Sequence, residues 1–322
     1  MCQRESWRIF WFRMFENLAV TERGRLFLFR WHVRLERGIT DMIVKHFSIE
    51  VTSEQAGKPV FAGPADLTAY ILEPVDGIRD KKRPAVLLCP GGGYCRLSGR
   101  EDQPVAMKYL AAGFHVFVLH YSLAPDVFPR ALMELALSMK LIREHRDEWN
   151  VDVERIAVSG FSAGGHLACS LGVFWDKEWL YGALGVKPEE IRPDGMILCY
   201  PVITSGEFCH KGSFECLIGA EAAEKDVELR GLVSLEYQVG PQVPKTFLWH
   251  TWTDQSVPVE NSLALLQALR KAGVNVEAHL YPVGPHGVAL GTEETQGENK
   301  WYLEPYCESW MGLAVRWIEE QL

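Results

Sequence analysis

A serine flanked by glycines is the part of this sequence that points most directly to chemistry. Ser162 lies at the centre of the segment 160–164, Gly-Phe-Ser-Ala-Gly. The apolar residues 155–159 before it predict a strand, and the small residues 163–174 after it predict a helix. A sharp turn between a strand and a helix lifts a serine hydroxyl above the sheet as a nucleophile, and such a strained turn needs small neighbours. The alternative is that Ser162 is an ordinary residue of a strand-to-helix turn.

A serine nucleophile needs a general base, and the base needs an acid that orients it. Asp254 follows the predicted strand 246–250, and His286 follows the predicted strand 276–281. Both residues would therefore lie on loops at the carboxyl ends of strands, where open α/β sheets place their sites. We predict Ser162 as the nucleophile, His286 as the base and Asp254 as the acid, a set that performs acyl transfer.

Other residues compete for the roles of acid and base. Glu260 is the alternative acid, although its position places it in the predicted helix after the Asp254 loop. We expect His166, in the helix after the nucleophile, to pack or to form hydrogen bonds. We expect His250, at the end of a strand, to orient the Asp254 loop, and His279, inside a strand, to be structural.

Acyl transfer also requires N–H groups that bind the negative charge on the former carbonyl oxygen. The segment 90–94, Pro-Gly-Gly-Gly-Tyr, follows the predicted strand 85–89, and glycines let a loop turn its N–H groups inward without a side-chain clash. The N–H of Ala163, directly after the nucleophile, is the usual second donor. A phosphate-binding loop is the rival interpretation; it fails because no Gly-Lys-Ser/Thr follows and the dinucleotide-binding spacing is absent.

A scaffold must position these residues, and the chain alternates between strand and helix patterns. Two front strands are predicted at 43–51 and 67–73. Six further strands, of the parallel type, are predicted at 85–89, 114–119, 155–159, 195–199, 246–250 and 276–281. Helices are predicted at 102–112, 129–146, 163–174, 258–272 and 307–321. Strands that alternate with such helices indicate an α/β fold with a mostly parallel, eight-stranded sheet and helices on both faces.

Together these motifs resemble those of the α/β-hydrolase superfamily, esterase/lipase type. They are similar above all to the hormone-sensitive-lipase-like enzymes and to bacterial carboxylesterases of the acetyl-xylan or feruloyl esterase kind. The segment 90–94 is similar to their His-Gly-Gly-Gly-aromatic loop, and the segment 121–125 to their Tyr-Arg-Leu-Ala-Pro motif. The segments 160–165 and 254–258 resemble their nucleophile turn and their acid loop. The resemblance covers residues 43–322.

This resemblance implies an α/β-hydrolase fold and a serine carboxylic-ester hydrolase that needs neither a metal ion nor an organic cofactor. It assigns the oxyanion-binding N–H groups to Gly92, Gly93 and Ala163. Pro90 stands where the family has His, and Ser122 stands where it has Arg. By analogy alone, these two differences make the sequence more similar to sugar deacetylases that act on small esters.

Aromatic residues are frequent in the loops after the predicted strands, and among them Tyr94 and Trp252 are the predicted substrate contacts. Aromatic faces fit a sugar ring, but they fit a feruloyl group or plain hydrophobic packing as well. We predict deacetylation of a carbohydrate such as a xylo-oligosaccharide, with another small ester as the alternative. An amidase or peptidase of the formamidase-like kind on the same triad, and a non-catalytic binding protein with this fold, are two further alternatives.

The 322 residues divide into a basic front and an acidic body. The first forty residues carry eight arginines and four glutamates, whereas the net charge of the chain is −9. We interpret residues 1–41 as an aromatic leader that is dispensable, packs as a helix or anchors at a membrane surface. Residues 42–322 are predicted to form a single domain with a cap or insertion around 201–245, because the sheet pattern resumes after this segment.

Composition limits the partners and the compartment. The acidic balance argues against a nucleic-acid partner, and no apolar segment approaches the roughly 18–20 residues of a spanning helix, so no membrane partner is expected. The eight cysteines form no Cys-x-x-Cys pair, which argues against a zinc site. We expect buried thiols in the reducing cytoplasm, with a structural disulfide left open. The expected partner is a small-molecule ester, and the sequence does not determine the oligomeric state.

Overall fold

Eight strands form one sheet whose order in space differs from the order in the chain. The computed structural model describes residues 42–74 and 81–322. The strands are β1 (Met42–Ile49), β2 (Ala65–Leu72), β3 (Arg83–Cys89), β4 (His115–His120), β5 (Val151–Phe161), β6 (Gly195–Cys199), β7 (Lys245–Thr251) and β8 (Val276–Tyr281). Their spatial order is β1-β2-β4-β3-β5-β6-β7-β8. Strand β2 is antiparallel to β1 and β4, and all other pairs are parallel, which confirms the mostly parallel sheet.

Helices connect the strands. In the described part of the chain they are α1 (Ser53–Ala56), α2 (Gln103–Ala111), α3 (Arg130–Glu144), α4 (Arg146–Trp149), α5 (Ala163–Phe174), α6 (Glu178–Leu184), α7 (Pro188–Ile191), α8 (Lys211–Ile218), α9 (Ala220–Lys225), α10 (Val227–Val233), α11 (Glu260–Ala272) and α12 (Trp310–Gln321). A short 3₁₀ turn, 99–101, precedes α2.

Both faces of the sheet are covered, which explains the apolar runs in its central strands. All seven residues of β3 are buried. On one face, Leu87 of β3 belongs to the core that α3, α5 and α11 complete. On the other face, Val86 of β3 and Trp249 of β7 pack with residues of α2 and α12. A strand that is buried on both faces exposes no side chain to water, so its sequence is a continuous run of apolar residues.

The largest difference from the predicted boundaries is in β5. This strand was predicted at 155–159, but it extends from Val151 to Phe161. Its first residues alternate between apolar and polar, Val151-Asp152-Val153-Glu154, and Val151 pairs with Arg83 before an irregularity shifts the register to Ala85 opposite Ile156. These added residues lie outside the apolar run 156–158, which is the pattern that predicted the strand.

The segment 201–245 joins β6 to β7 through the three short helices α8, α9 and α10 and contains no strand. Its interpretation as a cap stays a prediction here. The predicted leader, residues 1–41, lies outside the described residues.

The described cysteines are all free thiols. Four are buried, two are half-buried and one is exposed; these are Cys89, Cys169, Cys199 and Cys307, then Cys209 and Cys216, then Cys95. No helix within the described residues combines the length and apolarity needed to cross a bilayer. In the same two ranges, no cluster of three or more His, Cys, Asp or Glu side chains is arranged to hold a metal ion.

Candidate active site

The turn between β5 and α5 holds Ser162 in a strained backbone conformation. Its φ of 54° and ψ of −118° are unusual for a residue with a side chain. A Cβ atom on Gly160 would lie 2.0 Å from the carbonyl oxygen of Gly164, and one on Gly164 would lie 2.1 Å from that of Cys89. Both glycines are therefore required by close backbone contacts, and together they make the sharp turn possible.

The structure brings the three predicted triad residues into one hydrogen-bonded chain. Ser162 Oγ lies 2.7 Å from His286 Nε2, and His286 Nδ1 lies 2.6 Å from Asp254 Oδ2. Their side chains come from the loops after β5, β8 and β7, as the topology of the sheet requires. With Nδ1 protonated toward the carboxylate, Nε2 is free to accept the serine proton.

The carboxylate of Asp254 is fully buried but well supplied with donors. Its Oδ1 atom accepts the N–H groups of Ser256 and Val257, each at 2.9 Å. Burial alone would raise the pKa of Asp254, but the hydrogen bonds from His250 and His286 more than offset it and lower that pKa below its ordinary value. The acid therefore stays ionised at neutral pH and holds the imidazole of His286 in one orientation.

The glycine-rich loop after β3 lies against the nucleophile. A Cβ atom on Gly91 would be 3.0 Å from the Cβ of Ser162. The chain then turns with positive φ values, 132° at Gly92 and 69° at Gly93. Within the described residues, the N–H groups of Gly92, Gly93 and Ala163 donate to no protein acceptor. Three free N–H groups next to a serine hydroxyl can bind an oxyanion.

The segment 121–125 holds the glycine-rich loop in place through hydrogen bonds. The hydroxyl of Tyr121 donates to the carbonyl of Pro90 at 2.8 Å, and the N–H of Ala124 donates to the carbonyl of Tyr94 at 2.9 Å. Ser122, where the family has Arg, instead donates its hydroxyl and its N–H to the carboxylate of Glu134. The motif thus fixes the position of the candidate oxyanion loop.

Tyr94 does not line an open pocket mouth. Its side chain is only 3% exposed, and its hydroxyl lies 2.8 Å from His166 Nδ1. The other nitrogen of His166 contacts the carbonyl of Val233 at 2.9 Å, so this histidine forms hydrogen bonds, as predicted, and does not approach Ser162 as the base. Its ring packs edge-on against Tyr121 and His166, and a contact of Tyr94 with substrate stays a prediction.

The remaining candidate residues, Trp252, Glu260 and His279, are not part of the hydrogen-bonded chain from Ser162 to Asp254. Trp252 is 57% exposed two residues before Asp254, and its contact with substrate stays a prediction. Glu260 is the first residue of α11, while the imidazole of His286 contacts Asp254. His279 pairs with Glu277 along β8 at 2.8 Å.

The sequence analysis did not single out His210, a half-buried histidine in the segment 201–245. His210 directly precedes α8, and its Nδ1 atom accepts the N–H of Ser213 at 3.3 Å. Burial lowers the pKa of His210, and the charges of His286 and Asp254 act on it in opposite directions. The segment 201–245 contains no strand whose end would have placed this histidine, so its pattern carries no signal.

The fold and the similarity to known proteins place this chain among the α/β-hydrolases of the esterase/lipase type. More narrowly, the chain belongs to the BD-FAE family, whose model matches residues 75–269.

Its similarity to known proteins extends along most of the described fold. It is 34% identical over 223 residues to endo-1,4-beta-xylanase B of Butyrivibrio fibrisolvens, covering 67% of this chain and 34% of that protein. It is 31% identical over 212 residues to an acetylxylan esterase of Xylanibacter ruminicola, covering 65% of this chain and 42% of that protein. The chain therefore spans less than half the length of these curated relatives.

One solved structure matches this chain over nearly the whole length of the solved protein. The acetyl ester-xyloside bifunctional hydrolase of Caldicellulosiruptor lactoaceticus superimposes with a TM-score of 0.71 at 34% identity. The match covers 85% of this chain and 95% of that structure. The solved structure is similar in length to this chain, so it supports the fold and the family independently of the longer curated relatives.

Proposed function

We propose that this protein is a serine ester hydrolase that removes small acyl groups, acetyl above all, from a carbohydrate such as a xylo-oligosaccharide. The observation that carries the proposal is the continuous hydrogen-bonded chain from Ser162 Oγ through His286 to Asp254. The free N–H groups beside Ser162 support it, because an acyl-transfer transition state places a negative charge at that point.

The reaction begins when Ser162 Oγ attacks the ester carbonyl carbon. His286 Nε2 takes the serine proton, and the carboxylate of Asp254 stabilises the imidazolium that forms. The carbonyl oxygen becomes an oxyanion, which accepts hydrogen bonds from the N–H groups of Gly92, Gly93 and Ala163. Each such donor contributes roughly 3–4 kcal/mol to the stability of the transition state.

The tetrahedral intermediate then collapses, and the bond between carbon and the alcohol oxygen breaks. His286 gives its proton to the departing alcohol, which leaves an acyl group on Ser162. Water repeats the sequence: His286 removes its proton, the acyl carbon is attacked, and the carboxylic acid departs while Ser162 regains its proton. No step in this sequence calls on a metal ion or a cofactor.

Carbohydrate is the proposed alcohol for two reasons. The relatives named above include an acetylxylan esterase and an acetyl ester-xyloside hydrolase. In addition, Trp252 is 57% exposed beside the Asp254 loop, and the flat face of an exposed indole fits the apolar face of a sugar ring. We also propose that the segment 201–245 is a cap over the site, because Ser213 Oγ of α8 would lie 3.7 Å from a Cβ atom on Gly93 in the glycine-rich loop. The free thiols fit a reducing compartment, and we extend the proposal to a cytoplasmic location.

The test compares the wild type with Ser162→Ala on p-nitrophenyl esters from acetyl to decanoyl and on acetylated xylo-oligosaccharides. We expect acetyl-dominated turnover and acetate release in the wild type, and neither in the variant. A longer-chain optimum would reject the deacetylase assignment while keeping the esterase. Faster cleavage of an acyl anilide than of the matching ester would favour the amidase alternative, and equal rates for both proteins would exclude Ser162 as the nucleophile.

A further inference from the structure

A buried carboxylate connects two loops of the candidate site that are far apart in sequence. Glu101, in the 3₁₀ turn 99–101, is 3% exposed. Its Oε2 atom accepts the N–H of Gly91 at 2.9 Å, and its Oε1 atom accepts the hydroxyl of Tyr200 at 2.7 Å. The oxygen of Tyr200 in turn accepts the N–H of Ala289 at 2.9 Å. These three hydrogen bonds form one bridge from the loop after β3 to the loop after β8.

The two ends of this bridge lie beside the reacting groups. Gly91 directly precedes Gly92, whose N–H is one of the candidate oxyanion donors. Ala289 lies three residues after His286, and the rings of Tyr200 and His286 are 5.2 Å apart. The bridge therefore joins the loop that would stabilise the oxyanion to the loop that carries the base.

We propose that Glu101 and Tyr200 are positioning residues, which fix the oxyanion loop and His286 relative to each other. This inference rests on the ester hydrolysis proposed above. It assigns these residues no contact with substrate.

The protonation states fit the direction of each hydrogen bond. Burial and the negative charge of Glu101 raise the pKa of Tyr200 well above its ordinary value, so the hydroxyl stays protonated and donates to the carboxylate. The carboxyl group of Glu101 accepts two hydrogen bonds, from Gly91 and Tyr200, and both donors are themselves buried.

A second contact from the same turn reaches the residue directly after the histidine. Arg100 Nη1 donates to the carbonyl of Gly287 at 2.6 Å, and its guanidinium lies 3.5 Å from the ring centroid of Tyr302. Two adjacent residues of one turn thus contact the loop after His286: Arg100 directly at Gly287, and Glu101 through Tyr200 at Ala289.

The backbone at the far end of the bridge is strained. Tyr200 has a φ of 38° and Ala289 a φ of 56°, both in the left-handed region that residues with side chains rarely adopt. Such conformations persist only where surrounding interactions enforce them, and they concentrate at functional sites. The bridge supplies one of these interactions at each residue.

Acyl transfer is sensitive to this geometry because two groups must act on one carbonyl in the same step. His286 must reach Ser162 Oγ while the N–H donors reach the oxygen on the same carbon. A displacement of about 1 Å between such groups can cost on the order of 100-fold in rate. Loss of the bridge is therefore expected to lower kcat, while ground-state binding and KM change little.

The test uses Tyr200→Phe and Glu101→Gln, with Tyr109→Phe as the matched control. Tyr109 is also fully buried, and its hydroxyl has no hydrogen-bond partner among the described residues, so this variant loses a buried hydroxyl outside the bridge. For each variant, kcat and KM for p-nitrophenyl acetate are measured per active site, after titration with a fluorophosphonate. The inhibition constant of a trifluoromethyl ketone, which forms the oxyanion, and the Tm are measured in parallel.

We expect Tyr200→Phe to lower kcat by about 10- to 100-fold, with KM within about twofold of the wild type. The ketone should bind more weakly by a similar factor, and Tyr109→Phe should match the wild type in both measurements. Because both residues act through one bridge, the double variant should be as active as the less active of the two single variants.

The proposal is overturned if Tyr200→Phe keeps the kcat and ketone affinity of Tyr109→Phe. It is also overturned if the variants lose Tm and active-site content but turn over normally per titrated site, since this would show a purely structural role. If Glu101→Gln fails to fold, the measurements on Tyr200→Phe alone test the proposal. A wild-type protein without esterase activity would instead reject the proposed function, and the two failures are thus distinguishable.

Discussion

His250 Nε2 lies 3.3 Å from Asp254 Oδ2, and neither side chain has any exposed surface. The same nitrogen is 3.0 Å from the carbonyl of Val257, while Nδ1 lies 2.7 Å from the hydroxyl of Ser262. The Nε2 nitrogen can donate toward both oxygens, while Nδ1 pairs with the serine hydroxyl. His250 thus orients the candidate acid, as its place at the end of a strand suggested, and leaves the other imidazole, His286, free for proton transfer.

Replacing Asp254 with Asn tests this orienting role. The amide donates a proton to His286 Nδ1 where the carboxylate accepted one, so Nε2 becomes protonated and cannot take the serine proton. We expect kcat for p-nitrophenyl acetate to fall by about 10,000-fold with little change in KM. Asp152→Asn removes a carboxylate that pairs with Arg155 near the start of β5, and it serves as the control. A loss below tenfold for the first variant would argue against Asp254 as the acid.

Two neighbouring glycines are expected to respond differently to alanine. A Cβ atom on Gly92 would lie 2.1 Å from the backbone carbonyl oxygen of Arg96, so Gly92→Ala must displace the loop. Because one oxyanion donor contributes a factor of about 100 to 1,000, we expect at least a 100-fold loss of kcat.

Gly93→Ala is the matched comparison. Its Cβ would meet only Cys95 and Ser213, at ordinary contact distances of 3.7 Å, although the φ of 69° is strained for alanine. We expect a stability loss of about 1–2 kcal/mol and a kcat within about tenfold of the wild type. Equal activity of both variants, at equal amounts of folded protein, would contradict the assigned loop geometry.

The sequence predicted those parts of the site that local patterns determine. Ser162, Asp254 and His286 each follow a strand that the sequence pattern predicted, so topology alone placed all three at one edge of the sheet. The burial of Tyr94 could not be predicted, because it depends on His166, 72 residues away. The contact of Glu101 with Tyr200 spans 99 residues and joins side chains that no periodic pattern distinguishes.

His166 predicts a specific loss of stability in acid. Burial lowers its pKa to about 4, below the ordinary value of about 6.5 for the unfolded chain. Between these two pH values the unfolded chain binds a proton and the folded protein does not, so stability is complete above pH 6.5 and falls as the pH drops toward 4. We expect His166 to account for about 2 kcal/mol of lost unfolding free energy between pH 7 and pH 4.5.

The measurement is urea unfolding of the wild type and His166→Gln at both pH values. The variant starts from a lower stability, since its contacts with Tyr94 and Val233 are altered. It should nevertheless lose less stability on acidification than the wild type does. Parallel losses in the two proteins would show that this histidine is not held neutral by burial.

Trp252 provides a test of the carbohydrate assignment that leaves the catalytic groups intact. Because its side chain is 57% exposed, Trp252→Ala should change the Tm little. If the indole stacks on a sugar ring, KM for an acetylated xylo-oligosaccharide should rise roughly 5- to 20-fold, while KM for p-nitrophenyl acetate, which has no sugar, stays constant. Phe61→Ala removes another exposed aromatic side chain, in the loop between α1 and β2, and should change neither value. Equal increases for both substrates would mean that Trp252 shapes the site itself, and no increase for the oligosaccharide would reject the stacking contact.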